Sequence, residues 1–330
     1  MAEFKLFING EFVDAASGET FTTHNPGTGE KLADVPKAGR EDAVRGIEAA
    51  RRAFDEGPWP KMSGKERAEK IRKIVELIGT HSAELAELEA LDGGGTILKA
   101  QMADVPGAQN AFEWFARMAE ERPEREELEG SAFPASQNYL RYEPIGVCTG
   151  IIPWNFPLIM AAWKIAPAIA AGNTSVLKPA SLTSLSALKL AEIIAEADLP
   201  PGVVNVLAGP GGSVGEELAS NPMVDKTAFT GSTEVGRRIM QLASGTVKAV
   251  TLELGGKSAN IVLDDADLDL AAGGVLFGTF FHNGQVCESG TRALVQRGIY
   301  DDFLALLVEK ANAIVIGDQM DMGTNLGPLV

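Results

Sequence analysis

The chain has 330 residues, of which 45% are hydrophobic and 22% charged, so it can bury a large core and form more than one domain. Its 45 acidic and 29 basic residues give a formal net charge of −16, which argues against nucleic acids and anionic membranes as partners. Two cysteines make no disulfide framework, and three scattered histidines give no metal-ligand spacing. We therefore expect a cytoplasmic protein without a metal.

The first part of the chain predicts a hairpin followed by helices. Residues 4–13 place an Asn9-Gly10 turn between two apolar runs, which is typical of a β-hairpin. Apolar residues at helical spacing then predict helices over 40–55 and 64–91, and another over 98–120. The glycines that follow residue 92 are expected to end the second of these helices.

Residues 121–144 differ in character from the sequence on either side. Acidic residues cluster at their start, and polar and apolar residues alternate from Tyr139 to Tyr142. The segment predicts an extended hairpin that leaves the main body. It is either a surface loop or an arm that pairs with another subunit.

From residue 145 onward, strand and helix patterns alternate. Short apolar runs predict strands at 145–151, 174–177, 203–207, 226–229 and 248–253. Helix-like runs separate them at 157–170, 182–197, 212–220 and 233–243. This alternation predicts an α/β fold with a doubly wound parallel sheet and right-handed crossovers.

Ligands of such sheets bind beyond the carboxyl ends of the strands, where the next helix begins. At those places the sequence puts Pro153-Trp154-Asn155, Lys178, Gly209 to Gly215, Gly231-Ser232 and Glu253 to Gly255. A helix that opens at Ser232 can offer free N–H groups to a pyrophosphate, although a simply capped helix is an equal alternative. Lys178 can reach a ribose or phosphate, or it can be an ordinary solvated lysine.

Cys287 lies in a polar, glycine-containing loop, whereas Cys148 lies in an apolar strand. A lone cysteine is most often a small core residue. The setting of Cys287 instead suggests a nucleophile, with Glu253 brought beside it by tertiary folding as the base. His282 is a second candidate base, but no orienting partner for it is evident.

At this point the residues resemble a known family. The segments FTGSTEVG (229–236), TLELGGKS (251–258), IPWNFP (152–157), VLKPA (176–180) and NGQVC (283–287) match motifs of the NAD(P)-dependent aldehyde dehydrogenase superfamily. They agree in order and spacing over nearly the whole chain.

The resemblance implies a different role for each of three catalytic residues. Cys287 attacks the aldehyde carbonyl, forming a thiohemiacetal and then a thioester. Asn155, with the Cys287 backbone N–H, forms the oxyanion hole. Glu253 is the general base that activates the hydrolytic water.

The resemblance also implies a cofactor site and a substrate pocket, with NAD or NADP as cofactor and a small aldehyde as substrate. The implied cofactor residues are Ile152, Pro153, Trp154, Lys178, Ser181, Gly215, Gly231, Ser232, Leu254 and Gly255. The residues implied to flank the substrate are Phe156, Trp163, Val286 and Glu288.

Three features depart from the family pattern. Ser181 stands where NAD-preferring members often have an acid, which leaves NAD and NADP both open. Glu288, directly after the nucleophile, places a carboxylate in the site, and an ionised carboxylate there disfavours the thiolate. The family also continues beyond Val330 with a Glu-x-Phe-Gly-Pro motif and the rest of a catalytic domain, so we expect the chain to end before the family's carboxyl-terminal region.

These observations predict three parts. Residues 1–120 and 145–254 form a discontinuous NAD(P)-binding domain, residues 121–144 an oligomerisation arm, and residues 255–330 part of a catalytic domain. A homodimer or homotetramer is expected for a full-length form. Alternative functions are an inactive nucleotide-binding or structural member of this fold, a CoA-acylating semialdehyde dehydrogenase, and a Cys-His hydrolase.

Overall fold

The computed structural model describes residues 3–128 and 137–330 and has a mixed α/β fold. Its strands are β1 Leu6–Ile8, β2 Glu11–Val13, β3 Thr20–His24, β4 Lys31–Pro36, β5 Arg125–Glu127, β6 Tyr139–Arg141, β7 Val147–Ile151, β8 Thr174–Lys178, β9 Val204–Val206, β10 Lys226–Gly231, β11 Ala249–Leu254, β12 Ala259–Val262 and β13 Arg292–Val295.

The helices are α1 Arg40–Asp55, α2 Gly64–Thr80, α3 Ser82–Gly93, α4 Ile97–Lys99, α5 Val105–Glu121, α6 Pro157–Ala170, α7 Leu185–Glu196, α8 Glu216–Ser220, α9 Thr233–Ala243, α10 Leu268–Phe280 and α11 Tyr300–Asn312. Segments with π-helical hydrogen bonds precede α5, at Ala100–Asp104, and α8, at Gly211–Gly215. In the parts of the chain that are described, no helix combines the length and hydropathy needed to cross a bilayer.

The central sheet has seven strands in the order β11-β10-β7-β8-β9-β1-β2. Strands β7 to β11 run parallel, as the alternation of strand and helix patterns predicted. The predicted hairpin β1–β2 adds to the edge of β9 in antiparallel orientation, where Phe7 pairs with Val206. The chain thus winds outward from β7 in both directions, which is the strand order of a doubly wound sheet.

One predicted helix was wrong. The pattern over 64–91 indicated a single helix, but the chain breaks at His81 into α2 and α3. The His81 backbone leaves the helical region, at φ −94° and ψ 15°, while its N–H still bonds the Leu77 carbonyl and its own carbonyl accepts from Leu85. Hydrophobic periodicity continues across this corner because both helices bury one face, so periodicity alone could not reveal the break.

The residues after β11 have a small core of their own. Strands β12 and β13 pair in parallel, and Val262, Ala272, Val275 and Phe303 form a cluster separate from the main core. The division into a nucleotide-binding and a catalytic part stays a prediction.

The predicted hairpin arm is present where the chain is described. Strands β5 and β6 pair in antiparallel orientation, with Arg125 opposite Arg141. Residues 129–136 of the predicted arm lie outside the described residues. The oligomerisation role of the arm stays a prediction.

Two buried acids on α3 hold the starts of the helices that follow β7 and β8. Glu89 Oε1 accepts hydrogen bonds from the Leu158 N–H at 2.9 Å and from the Ser186 hydroxyl. Asp92 Oδ2 accepts from the Leu185 N–H at 3.0 Å. Burial raises the pKa of Glu89 to about 8 and that of Asp92 to about 7. These acids satisfy free N–H groups in the first turns of α6 and α7.

Replacing Asp92 by Asn tests this burial. The pKa of Asp92 is raised on folding, so its contribution to stability is present below pH 4 and is lost as the pH rises through about 7. Between pH 5 and pH 8 the free energy of unfolding of the parent chain should therefore fall by on the order of 3 kcal/mol relative to that of Asp92→Asn. Urea unfolding at the two pH values measures this difference. Asp265→Asn, the same change at an exposed position, should show no such difference, and equal pH dependence of parent chain and Asp92→Asn would contradict the expectation.

Candidate active site

The carboxyl end of β7 and the loop after it carry the first group of predicted cofactor residues. The Ile152 N–H bonds the Lys178 carbonyl at 3.1 Å, which joins the ends of β7 and β8. Pro153 and Trp154 follow, and the Trp154 carbonyl accepts from the Thr183 hydroxyl at 2.8 Å. These contacts hold the β7 loop over the end of β8.

Lys178, the last residue of β8, is buried rather than solvated, with 4% of its surface exposed. Its Nζ donates to the Pro179 carbonyl at 2.7 Å, and no described carboxylate forms an ion pair with it. Burial lowers the pKa of Lys178 to about 8. Such a cation at the carboxyl end of a parallel strand suits a ligand that brings hydroxyl or phosphate oxygens.

Two further predicted cofactor positions lie close to Lys178. A Cβ at Gly215 would lie 3.8 Å from the Lys178 side chain. The Ser181 hydroxyl donates to the Gly209 carbonyl at 3.2 Å. The hydroxyl therefore helps to hold the β9 loop, and no carboxylate stands at this position to repel a 2′-phosphate.

The ends of β10 and β11 lie side by side. Gly231 and Leu254 are partners in the parallel register, and Gly255 follows with open space where a side chain would be. Ser232 caps α9 by accepting the Val235 N–H at 3.3 Å. Since β7 neighbours both β8 and β10, all the predicted cofactor positions lie along one edge at the switch point of the sheet.

Cys287 and Glu253, far apart in sequence, line one cavity of about 660 Å³. The loops that carry them also approach each other closely, because a Cβ at Gly256 would lie 3.3 Å from the Cys287 carbonyl oxygen. The other thiol, Cys148, is buried in β7, and burial raises its pKa to about 12. Of the two thiols, Cys287 is therefore the one that is reachable from solvent and shares a cavity with a carboxylate.

Asn155 connects the β7 loop to the cysteine loop. Its Nδ2 donates to the Gln285 carbonyl at 2.5 Å. An amide nitrogen carries two hydrogens, so one remains for a further acceptor. Asn155 itself does not line the cavity that Cys287 and Glu253 share.

The four predicted substrate-flanking residues separate into two pairs. Trp163 and Glu288 line the cavity with Cys287. Phe156 is buried, with its ring centroid 6.0 Å from that of Phe281 and 4.9 Å from that of His282. Val286 is half-buried against the main core. Phe156 and Val286 therefore support the cysteine loop from behind and do not line this cavity.

Lys164 was not predicted, yet it lines the cavity beside Glu253. Burial lowers the pKa of Lys164, while the Glu253 charge opposes that change. The signal was a single charged residue in the apolar run around α6. The cavity also includes Asn110, Trp114 and Phe115 of α5, which the helical pattern gave no reason to select.

His282 does not join the Cys287 cavity. It is buried and lines a different cavity, of about 790 Å³, together with Lys99 and Phe281. Burial, helped by the Lys99 charge, lowers the pKa of His282 to about 3, so its imidazole is neutral at physiological pH. Of the two candidate bases, Glu253 therefore shares a cavity with Cys287 and His282 does not.

The protein is α/β, and a cavity lined by a thiol and a carboxylate lies at the carboxyl end of its parallel strands. The chain belongs to the aldehyde dehydrogenase family, whose sequence model matches residues 12–330.

Individual relatives agree with this assignment. The betaine aldehyde dehydrogenase of Bacillus subtilis is 48% identical over 98% of this chain and 66% of its own length. Human retinal dehydrogenase 2 is 44% identical over 99% of this chain and 63% of its own. This chain thus spans about two thirds of the length of these relatives.

Solved structures give the same result for the fold. An aldehyde dehydrogenase from Bacillus cereus in complex with NAD+ matches with a TM-score of 0.96 at 44% identity, over 100% of this chain and 66% of that one. A betaine aldehyde dehydrogenase variant from Staphylococcus aureus, in complex with NAD+, matches with a TM-score of 0.96 at 39% identity, over 100% of this chain and 66% of that one.

Lys178→Met should make the protein more stable at neutral pH. Because the pKa of Lys178 is lowered on folding, the cost of burying its charge acts fully below pH 8 and disappears as the pH rises toward that of a free lysine. The variant should be more stable than the parent chain by on the order of 3 kcal/mol at pH 7, and this difference should vanish near pH 10.5.

Chemical unfolding across this pH range measures the effect. Lys257→Met, which removes an exposed lysine, is the matched control and should give no comparable gain. A destabilised Lys178→Met at pH 7 would mean that the hydrogen bond to Pro179 outweighs the burial cost.

Proposed function

We propose that this chain carries the site of an NAD(P)-dependent oxidation of an aldehyde to a carboxylate, with Cys287 as nucleophile and Glu253 as general base. The observation that carries the proposal is the shared cavity of Cys287 and Glu253, next to the carboxyl edge of a doubly wound sheet. Family membership supports the reaction class, and the NAD+ complexes of two structural neighbours support the cofactor class.

The residues present fit a dinucleotide. Lys178, buried and without a described ion-pair partner, can donate to the adenosine ribose. The start of α9 after Ser232 can receive the pyrophosphate at its free N–H groups. Gly255 leaves room for close approach of the nicotinamide, which accepts hydride when bound. Either NAD or NADP is accommodated, because Ser181 carries no charge.

In the first chemical stage the Cys287 sulfur adds to the aldehyde carbonyl carbon and gives a thiohemiacetal. The developing negative charge on oxygen is stabilised by the remaining Asn155 Nδ2 hydrogen and the Cys287 N–H. The hydrogen bond from Asn155 to Gln285 positions the donor, because it holds the asparagine against the loop that carries the thiol. When a cofactor is bound, the hydride of the former aldehyde carbon would pass to the nicotinamide and the oxygen-bound proton to solvent, and a thioester would remain on Cys287.

In the second stage water hydrolyses the thioester. Glu253 removes a proton from this water, and the released products are the carboxylic acid and the free Cys287 thiol. Lys164 lines the same cavity, and the Glu253 charge opposes the lowering of the Lys164 pKa by burial. The presence of an acid at position 253 favours water over CoA as the acyl acceptor.

We also propose that the predicted arm, residues 121–144, mediates homo-oligomerisation. Its described strands expose Tyr139 and Leu140, and Tyr142 follows them. Exposed aromatic and aliphatic side chains on a paired strand suit a subunit interface.

Cys287→Ala should abolish cofactor reduction with aldehyde, because no other accessible thiol lies in the cavity. Absorbance at the reduced nicotinamide band measures turnover, and isothermal calorimetry with NAD and NADP measures binding separately. Cys148→Ala is the matched control and should retain activity. Undiminished oxidation by Cys287→Ala would overturn the proposal, whereas nucleotide binding without turnover in the parent chain would favour an inactive nucleotide-binding protein.

Glu253→Gln should leave thiol addition in place and slow hydrolysis of the thioester by roughly 100-fold or more. A burst of reduced cofactor followed by slow turnover is expected, with an acyl group on Cys287 that hydroxylamine releases. Product analysis with and without CoA distinguishes the acyl acceptors, since a thioester product would indicate the CoA-acylating alternative. Steady turnover equal to that of the parent chain would exclude Glu253 as the base.

A further inference from the structure

Glu288 is an unusual neighbour for a nucleophile. It directly follows Cys287, is exposed, and lines the same cavity as the thiol. Within 3–128 and 137–330, no hydrogen bond or ion pair engages its carboxylate. Its charge is therefore free to act on whatever enters the cavity.

The other charges that line the cavity largely offset each other. Lys164 and Glu253 are its remaining charged residues, and the effect of Glu253 on the pKa of Lys164 shows that the two charges interact. Their opposite charges cancel at a distance, which leaves the site with the negative charge of Glu288. A formal net charge of −16 on the whole chain adds to the same sign.

The walls of the cavity are aromatic. Trp163 is 53% exposed and Trp114 is 54% exposed, and both line the cavity that holds the thiol. The Arg117 guanidinium lies 4.4 Å from the Trp114 ring centroid, and it pairs with Glu121 at 3.8 Å. Indole faces attract cations and tolerate neutral apolar groups, and they offer nothing to a carboxylate.

We propose that Glu288 is a specificity-determining residue, which makes this site accept uncharged and cationic aldehydes and reject aldehydes that carry a carboxylate. This inference rests on the proposed function, since it assigns the substrate class of the same site. Rejection follows from repulsion between two carboxylates held in one cavity, and acceptance follows from the indole walls.

The test uses two thiol reagents of nearly equal size that differ in charge. The Cys287 sulfur displaces iodide from neutral iodoacetamide or from anionic iodoacetate, and mass spectrometry assigns the modified cysteine. Cys148 is buried and should not interfere. The ratio of the two rate constants should favour iodoacetamide in the parent chain, and Glu288→Gln should reduce that ratio by roughly five- to tenfold. Added salt should reduce the ratio in the parent chain as well.

Glu309→Gln is the matched control, because it makes the same charge change at an exposed position on α11. It should leave the ratio unchanged. An equal ratio in parent chain and Glu288→Gln would overturn the proposal, and so would a common change in both rates, which would mean that Glu288 acts on the thiol alone. Because alkylation needs no turnover, failure of aldehyde oxidation remains distinguishable from failure of this inference.

Discussion

The hydrogen bond from Asn155 Nδ2 to the Gln285 carbonyl attaches the cysteine loop to the end of β7. That loop needs an external support, because His282 and Asn283 both have left-handed backbone conformations, with φ of 49° and 59°. Non-glycine residues adopt this region at a cost and keep it only when their surroundings impose it. The close approach at Gly256 supplies a second support. Together these contacts place the thiol beside the carboxyl edge of the sheet.

The position of Asn155 depends in turn on how α6 begins. Glu89 accepts the Leu158 N–H and the Ser186 hydroxyl, so one buried side chain joins the starts of α6 and α7 to α3. A nearby ion pair between Lys99 and Asp104, 2.6 Å apart, lies below Phe156, whose ring centroid is 4.4 Å from Lys99 Nζ. Unpaired charges would be costly at this depth, and the raised pKa of Glu89 lets it remain neutral there.

Local patterns predicted most of the elements. Helices over 40–55, 157–170 and 233–243 have the predicted limits. The first and third have one apolar face, whereas the second is a largely buried apolar run that begins at Pro157 and ends before Gly172. The break at His81 was missed because two helices that bury the same face keep one hydrophobic period through a corner. The parallel sheet was predicted from the alternation of patterns, whereas its strand order is decided only by the tertiary structure.

In the candidate site, too, some features were predictable from the sequence and others depend on tertiary packing. Positions at strand ends, such as Lys178, Gly231 and Glu253, were found from the sequence because parallel sheets present ligands to that edge. The burial of Lys178 and the location of Phe156 outside the cavity were not predicted from the sequence. Both depend on packing between segments that are distant in the chain.

The sequence by itself determined the family, the alternation of strands and helices and the identity of a thiol and a carboxylate suited to covalent catalysis. Each of these is encoded in local spacing or in short motifs. Only the tertiary structure decided that Glu253, Lys164 and Glu288 share a cavity with Cys287 and that His282 does not. The physical reason is that charge interactions and desolvation depend on distances of a few ångströms, and those distances are set by the packing of α5, α6 and two loops against one another.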